Sequence, residues 1–323
     1  MEVALTEEQQ ELAGTLRALL TKQSDSGAVR TAMASGSGYD EALWSMLTEQ
    51  IGVAALAVPE EYDGVGASLM ETAVALEELG RSLAPSPLLA SAIAVAGLLL
   101  HGSEEQRTDL LPRIASGTVA TVVIDPPLVL EPAAEIVLIP QGDVLAVSDD
   151  RPEPRPALDP TLRLGHLDTD ADTSQPLRDV AAALATALQV GAAQRGLDMS
   201  VAYAKERVQF GRPIGSFQAL KHRMADMLVL VEMARSASWA ACGTAAAYVT
   251  EPTEERAESL RLRSAVAQAY CSDALEKVAG ETVQLHGGIA ITWEHDAHLV
   301  FKRAHALGQL FGPARVHRAS LVL

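Results

Sequence analysis

The stretch Glu206-Arg207-Val208-Gln209-Phe210-Gly211-Arg212-Pro213-Ile214-Gly215-Ser216-Phe217-Gln218 stands between two long apolar-periodic segments. Upstream, Val180 to Phe210 has the Ala-rich pattern of one helix of ~30 residues, roughly 45 Å long at the usual rise. Downstream, Phe217, Leu220, Met224, Met227, Leu228 and Val231 recur at helical spacing and predict a second helix from Phe217 to Val249. Gly211, Pro213 and Gly215 stop the first helix, and Ser216 fits the N-cap of the second. Arg207 and Phe210, three apart, then share a helix face beside Gln218. A cation, an aromatic edge and an amide at a helix start suit a phosphate or nucleotide tail. Taken singly, each residue serves equally in a helix-capping turn with a surface Arg and a buried Phe.

Working outward, the 323 residues can bury a large core and hold two or three subdomains. Hydrophobic content is 48% but aromatic content only 4%, so the apolar mass is Ala, Leu and Val, which suits close-packed helices. The net charge of −17 argues against nucleic acid or an anionic membrane as partner, while leaving room for a local basic site for an anionic ligand. Leu88 to Leu100 is the longest apolar run and is too short to span a bilayer. The acidic start lacks the basic-then-apolar pattern of a signal peptide. Cys242 and Cys271, without Cys-x-x-Cys spacing, read as reduced core residues of a cytoplasmic protein.

Along the chain, Thr6 with Gln9 forms an expected capping box ahead of Leu12, Leu16 and Leu19. Ser24 to Gly38 reads as a polar loop. Helices are expected over Tyr39 to Glu49, Leu69 to Leu83, Pro87 to Gly102 and, capped by Ser103, up to Ser116, with a turn at Glu61-Tyr62-Asp63-Gly64. The pattern then changes to short β-rich runs at Val119 to Ile124, Glu135 to Ile139 and Val144 to Val147. Beyond the second central helix, Glu251 to Leu285 and Glu294 to Gln309 supply two more. The predicted class is mainly α: an N-terminal helical domain (1–117), a small β-domain (118–176) and a C-terminal antiparallel four-helix bundle (177–323).

Three runs together carry a resemblance. They are the opening stretch, then Val283-Gln284-Leu285-His286-Gly287-Gly288 followed by Thr292 to Ala304 with Phe301-Lys302-Arg303, and Pro59-Glu60-Glu61-Tyr62-Asp63-Gly64-Val65-Gly66 followed by Glu77-Glu78-Leu79-Gly80-Arg81. With these the chain resembles the acyl-CoA dehydrogenase family, strongly in its outer thirds and weakly in the middle. The resemblance implies FAD laid across a subunit interface, an acyl-CoA thioester as substrate, and electron-transferring flavoprotein as acceptor. It places Arg207, Phe210, Phe217 and Gln218 with Gln284, Gly287 and Gly288 at the adenosine-pyrophosphate end of a flavin held mainly by a neighbouring subunit. The chemistry agrees, because glycines admit phosphate oxygens to the backbone and Arg offers charge and a fork of donors.

The same resemblance exposes what is missing. Dehydrogenation of an acyl thioester needs a carboxylate aimed at the α-proton from a dry pocket. Matching the family's two base positions onto this chain, one falls on Phe311 and the other on Ala181, with Ala182 where an Arg usually follows. Between Val119 and Asp170 there is no Trp and neither of the strand motifs by which the family contacts the flavin ring. The expectation is a division of labour: a short subunit of a heterotetrameric acyl-CoA dehydrogenase, like base-lacking subunits of actinobacterial steroid-degrading complexes. A homologous partner would supply the Glu base and the ring site. One alternative is a self-sufficient enzyme with a displaced base at Glu281, Glu294 or Asp296; another is a non-enzymatic helical scaffold. No metal site is expected, His295, His298 and His305 reading as a solvated face. Glu60-Glu61 and Glu77-Glu78 likewise read as solvent-facing.

Overall fold

The computed structural model describes residues 4–321; residues 1–3 and 322–323, at the outer ends of the first and last expected domains, lie outside it. Helix α1 (Glu7–Gln23) opens on the capping box, Thr6 Oγ1 accepting the Gln9 N–H at 3.2 Å while Gln9 Oε1 accepts the Thr6 N–H at 3.0 Å. The expected loop that follows is instead α2 (Ser26–Ala34), capped by Asp25 and burying Val29 and Ala32. Val29 and Met33 are its only large apolar residues among nine, too sparse a stripe to read as a helix. After α3 (Glu41–Met46) the chain passes through a π-turn to Gly52, then a short 3-10 turn at Glu60–Tyr62. Helices α4 (Leu69–Ser82), α5 (Leu88–His101) and α6 (Glu104–Ala115) complete the first layer, with Ser103 capping α6 as expected.

Seven short strands follow: β1 (Ala120–Val122), β2 (Leu128–Leu130), β3 (Ile136–Gly142), β4 (Val144–Val147), β5 (Glu153–Arg155), β6 (Leu164–His166) and β7 (Asp172–Thr173). β3 pairs parallel with β1 and β7 and antiparallel with β4, while β2, β6 and β5 form a second antiparallel sheet. Four of these strands span only two or three residues beyond the expected runs, too few to show alternation.

The rest is helical: α7 (Gln175–Glu206), a hairpin of β8 (Val208–Gln209) and β9 (Arg212–Pro213), α8 (Gln218–Thr250), α9 (Glu254–His286), α10 (Ala297–Leu307) and α11 (Ala314–Ser320). α7 is the central member, buried without a break from Asp179 to Ala193. It meets α4 backbone to backbone: a Cβ on Gly191 would stand 2.0 Å from Glu77 O, and one on Gly80 2.5 Å from Leu188 O. Only glycine allows that approach. This close crossing overturns the expectation that Glu77-Glu78 face solvent. Glu78 is buried and takes two hydrogen bonds from Arg17, at 3.0 and 2.5 Å. Glu77 accepts from Arg235 Nε at 2.8 Å and Trp239 Nε1 at 2.9 Å, tying α4 to α8.

The β-domain is fastened to the bundle by a fully buried ion pair. Arg303 on α10 donates through Nε to Asp159 Oδ2 at 3.1 Å, and the Thr161 N–H donates to Asp159 Oδ1 at 2.9 Å. Among the described residues no helix is long and apolar enough to cross a membrane.

Candidate functional site

The turn between α7 and α8 differs from the sequence expectation in its local geometry. α7 ends at Glu206, so Arg207 and Phe210 do not share a helix face. The chain enters a two-residue hairpin in which Gln209 pairs with Arg212 and Val208 with Pro213. Its central residues, Phe210 and Gly211, both have positive φ (52° and 75°), the requirement of a type I′ turn. Gly211 meets it freely; a left-handed Phe costs about 1–2 kcal/mol. Phe210 is nevertheless 90% exposed, its ring set edge-on to Phe217 at 6.1 Å. Arg212 lies over the other aromatic, 4.0 Å from the Phe217 ring centre. Ser216 does not cap α8: its hydroxyl donates to Pro213 O at 2.7 Å, and α8 starts at Gln218, whose amide pairs with His222 at 2.9 Å.

The second run lies at the same end of the bundle. α9 terminates at His286 because Gly287 turns to φ 64°. Tyr203 of α7 stacks on His286 at 4.5 Å, and Arg223 of α8 grips Glu281 of α9 at 2.5 Å, so the ends of three helices are locked together. Arg207, Phe210, Gln218, Gln284, Gly287 and Gly288 are all exposed here, with Phe217 half-buried. Among the described residues the Arg207 guanidinium has no partner. Lys205, Arg207, Arg212, Lys221 and Arg223 face only Glu206 as an acid within that stretch, a local positive charge on an acidic chain. A Cβ on Gly288 would meet nothing within 4 Å. Among the described residues nothing crowds that position, so the backbone there is open to an approaching group.

At the other end of α7 are the two positions expected for a base. Ala181 is fully buried. Phe311 has φ 60° and lines two spaces, one of about 10 Å³ with Ile93, Thr121, Asp125 and Leu130, and a cleft of about 400 Å³ with mixed lining. The smaller barely reaches the size of one water. The cleft also exposes Arg178, Asp179, Arg261 and His317. Asp179, which the sequence reading passed over, is buried and accepts from Gln175 Nε2 at 2.9 Å. Burial pushes its carboxyl up to about 6 against the opposing Gln175 bond and the nearby Arg261 and Arg178. Asp179 is the fifth residue of α7, a lone acid beside Arg178 in sequence, so no local signal distinguished it.

The displaced bases considered from sequence do not fit that role. Burial pushes Glu281 up, but Lys277 and Arg223 outweigh it and hold the carboxyl below its ordinary range. Asp296 is held low in the same way by Ser26 and Arg30. Glu294 is exposed and is held low by its own backbone N–H and Thr292. Lowered carboxylates are weaker bases. The expected solvated histidine face is also corrected: His295 and His298 are half-buried in aromatic stacks, with His286 and Trp293 respectively. Among the described residues no acid, His and Cys cluster suits a metal. Both cysteines are buried and free.

Asp179 makes a checkable prediction. Its folded carboxyl titrates near 6 against 3.8 ordinarily, so between those values the folded chain binds more proton than the unfolded one. Stability therefore falls as pH rises through that window and stays lowered above it. Asp179→Asn should stabilise the chain by about 1–3 kcal/mol at pH 7.5 and give no gain near pH 4, as read by thermal melts.

Helices α1–α6, a small two-sheet region and a bundle of long helices make up the fold of an acyl-CoA dehydrogenase. The chain belongs to the acyl-CoA dehydrogenase family: that family's N-terminal domain matches residues 6–118 and its C-terminal domain residues 179–322. It is 46% identical over 318 residues to acyl-CoA dehydrogenase IpdE2 of Mycolicibacterium smegmatis, covering 96% of each chain. Its fold superposes on a chain of the Tcur3481-Tcur3483 steroid ACAD G363A variant with TM-score 0.83 at 28% identity, over 98% of this chain and 96% of that one. The ChsE4-ChsE5 complex from Mycobacterium tuberculosis gives TM-score 0.83 over 99% and 98%, and at 24% identity that likeness carries the fold alone. FAD is the cofactor of the family. The free Arg207, the local positive charge and the open space at Gly288 fit its pyrophosphate end.

Proposed function

We propose that this chain is one subunit of a heteromeric acyl-CoA dehydrogenase, clamping the tail of an FAD whose ring is housed by a homologous partner. The observation that carries the reading is that both family base positions hold side chains unable to accept a proton, Phe311 and Ala181. Bound FAD would supply the acceptor for a hydride from the substrate's β-carbon. Arg207 would hold the pyrophosphate through its guanidinium, and the Gly287 and Gly288 backbone would approach the same group. Phe210 and Phe217 offer faces and edges to the adenosine, and Gln218 and Gln284 donate amide hydrogens beside them. The partner's Glu takes the α-proton, and electron-transferring flavoprotein collects the electrons. The likeness to a steroid acyl-CoA dehydrogenase favours a bulky, ring-bearing acyl-CoA as substrate. Buried reduced cysteines suit a cytoplasmic setting.

Co-expression with a homologue that retains the Glu tests the assembly. The pair should purify together, yellow and active, while this chain alone is colourless; full flavin content and turnover from this chain alone would defeat the proposal. The specific observation favouring the other reading, a self-sufficient enzyme, is Asp179 in its cleft beside Phe311. In that case turnover by the isolated chain would vanish in Asp179→Asn.

A further inference from the structure

His286 closes α9 immediately before the two glycines, and its ring is held from three directions. Nδ1–H donates to Thr282 O at 2.7 Å, Tyr203 stacks on one face at 4.5 Å, and His295 packs at 4.6 Å with the rings tilted by 51°. His295 in turn accepts the Ala297 N–H through Nδ1 at 3.2 Å, at the start of α10. The stack thus spans α7, the end of α9 and the start of α10, bracketing the turn Gly287–Ile291. These two bonds fix the tautomers: His286 carries its proton on Nδ1, and His295 must leave its own Nδ1 bare.

Protonating His295 places an N–H against the Ala297 N–H and destroys that bond. Protonating both rings sets two cations 4.6 Å apart, centre to centre. Burial pushes both imidazoles below their ordinary value; His295 lowers His286 further, against the Thr282 and Met199 carbonyls that favour its cation, while His298, Arg195 and Arg30 lower His295. Tyr203, facing His286 from α7, carries no compensating charge. Asp296 favours the His295 cation, but it is already engaged by Arg30, Ser26 and Arg195.

Resting on the FAD-tail reading, we propose that Tyr203, His286 and His295 are positioning residues for the Gly287–Gly288 turn, and that protonation of the histidine pair releases the turn and weakens its hold on the flavin pyrophosphate. Because both rings titrate lower when stacked, the effect sets in below the ordinary histidine range, near pH 6.5, and grows toward acid.

The test measures flavin affinity of the co-expressed complex by fluorescence at pH 7.5 and 5.5. The wild-type complex should bind about tenfold more weakly at pH 5.5, one unit below the released histidine value. His295→Asn keeps an acceptor for Ala297 and leaves His286 as the one titrating ring of the pair, so its affinity should fall clearly less than tenfold between the two values. An equal pH dependence in the two overturns the proposal. Arg207→Ala at pH 7.5 separates the two layers: unchanged affinity there removes the FAD-tail reading. The stack is then judged by amide exchange of the 283–297 segment at pH 5.5. Faster exchange in wild type than in His295→Asn supports a proton-released turn, and equal rates overturn it.

Discussion

Asp159→Ala should lower the thermal unfolding midpoint by about 10 °C, the largest stability effect the structure implies for a single side chain. Asp159 and Arg303 have side chains 0% and 1% exposed, 144 residues apart in sequence. Removing one member leaves the other charged and dry, at about 3–5 kcal/mol. Because the pair joins the β-domain to α10, the loss should appear first as separation of those parts. Differential scanning calorimetry would then show a broadened or split transition. Asp159→Leu with Arg303→Met removes both charges, and most of the lost stability should return. If the double variant melts as low as the single one, the damage came from packing and the argument from charge is wrong.

Arg207→Glu should weaken flavin binding by the assembled complex about a hundredfold while leaving its melting temperature near wild type. A charge-assisted hydrogen bond to phosphate contributes about 1.5–3 kcal/mol, and reversing the sign adds repulsion. Stability is spared because Arg207 is exposed and, among the described residues, has no ion pair to lose. Arg223→Glu is the contrast: it breaks the 2.5 Å pair with Glu281 and should cost stability together with flavin. The two side chains lie near each other in sequence, so this split separates a ligand contact from a structural one.

Much of the architecture was legible because it is written locally. Thr6 with Gln9 and Ser103 with Gln106 announce helix starts, and the helical spacing from Phe217 to Val231 marks α8. Reading failed where local pattern and tertiary context disagree. Phe210 is not a residue that turns favour, so its left-handed conformation leaves no local signal, and Arg207 to Phe210 read as the end of a helix instead of the first arm of a hairpin. Asp25 looked like one more polar residue in a polar stretch until its cap on α2 was seen. Glu77 and Glu78 resemble a solvated acidic pair, since Arg17, Arg235 and Trp239 are far away in sequence. For the candidate site, motif spacing named the residues gathered at one end of the bundle. The long-range groups were missed: Asp179 in its cleft and the histidine stack behind the glycines acquire meaning only from neighbours on other helices.

The stoichiometry of flavin in the purified two-chain complex tests the central claim most directly. On the proposed division of labour, this chain supplies the tail half and its partner the ring half, so each pair completes one site. Quantified against both polypeptides, released FAD should therefore equal one per pair of unlike chains. One FAD per polypeptide would mean that this chain houses a flavin ring of its own, and the shared-site account would be wrong.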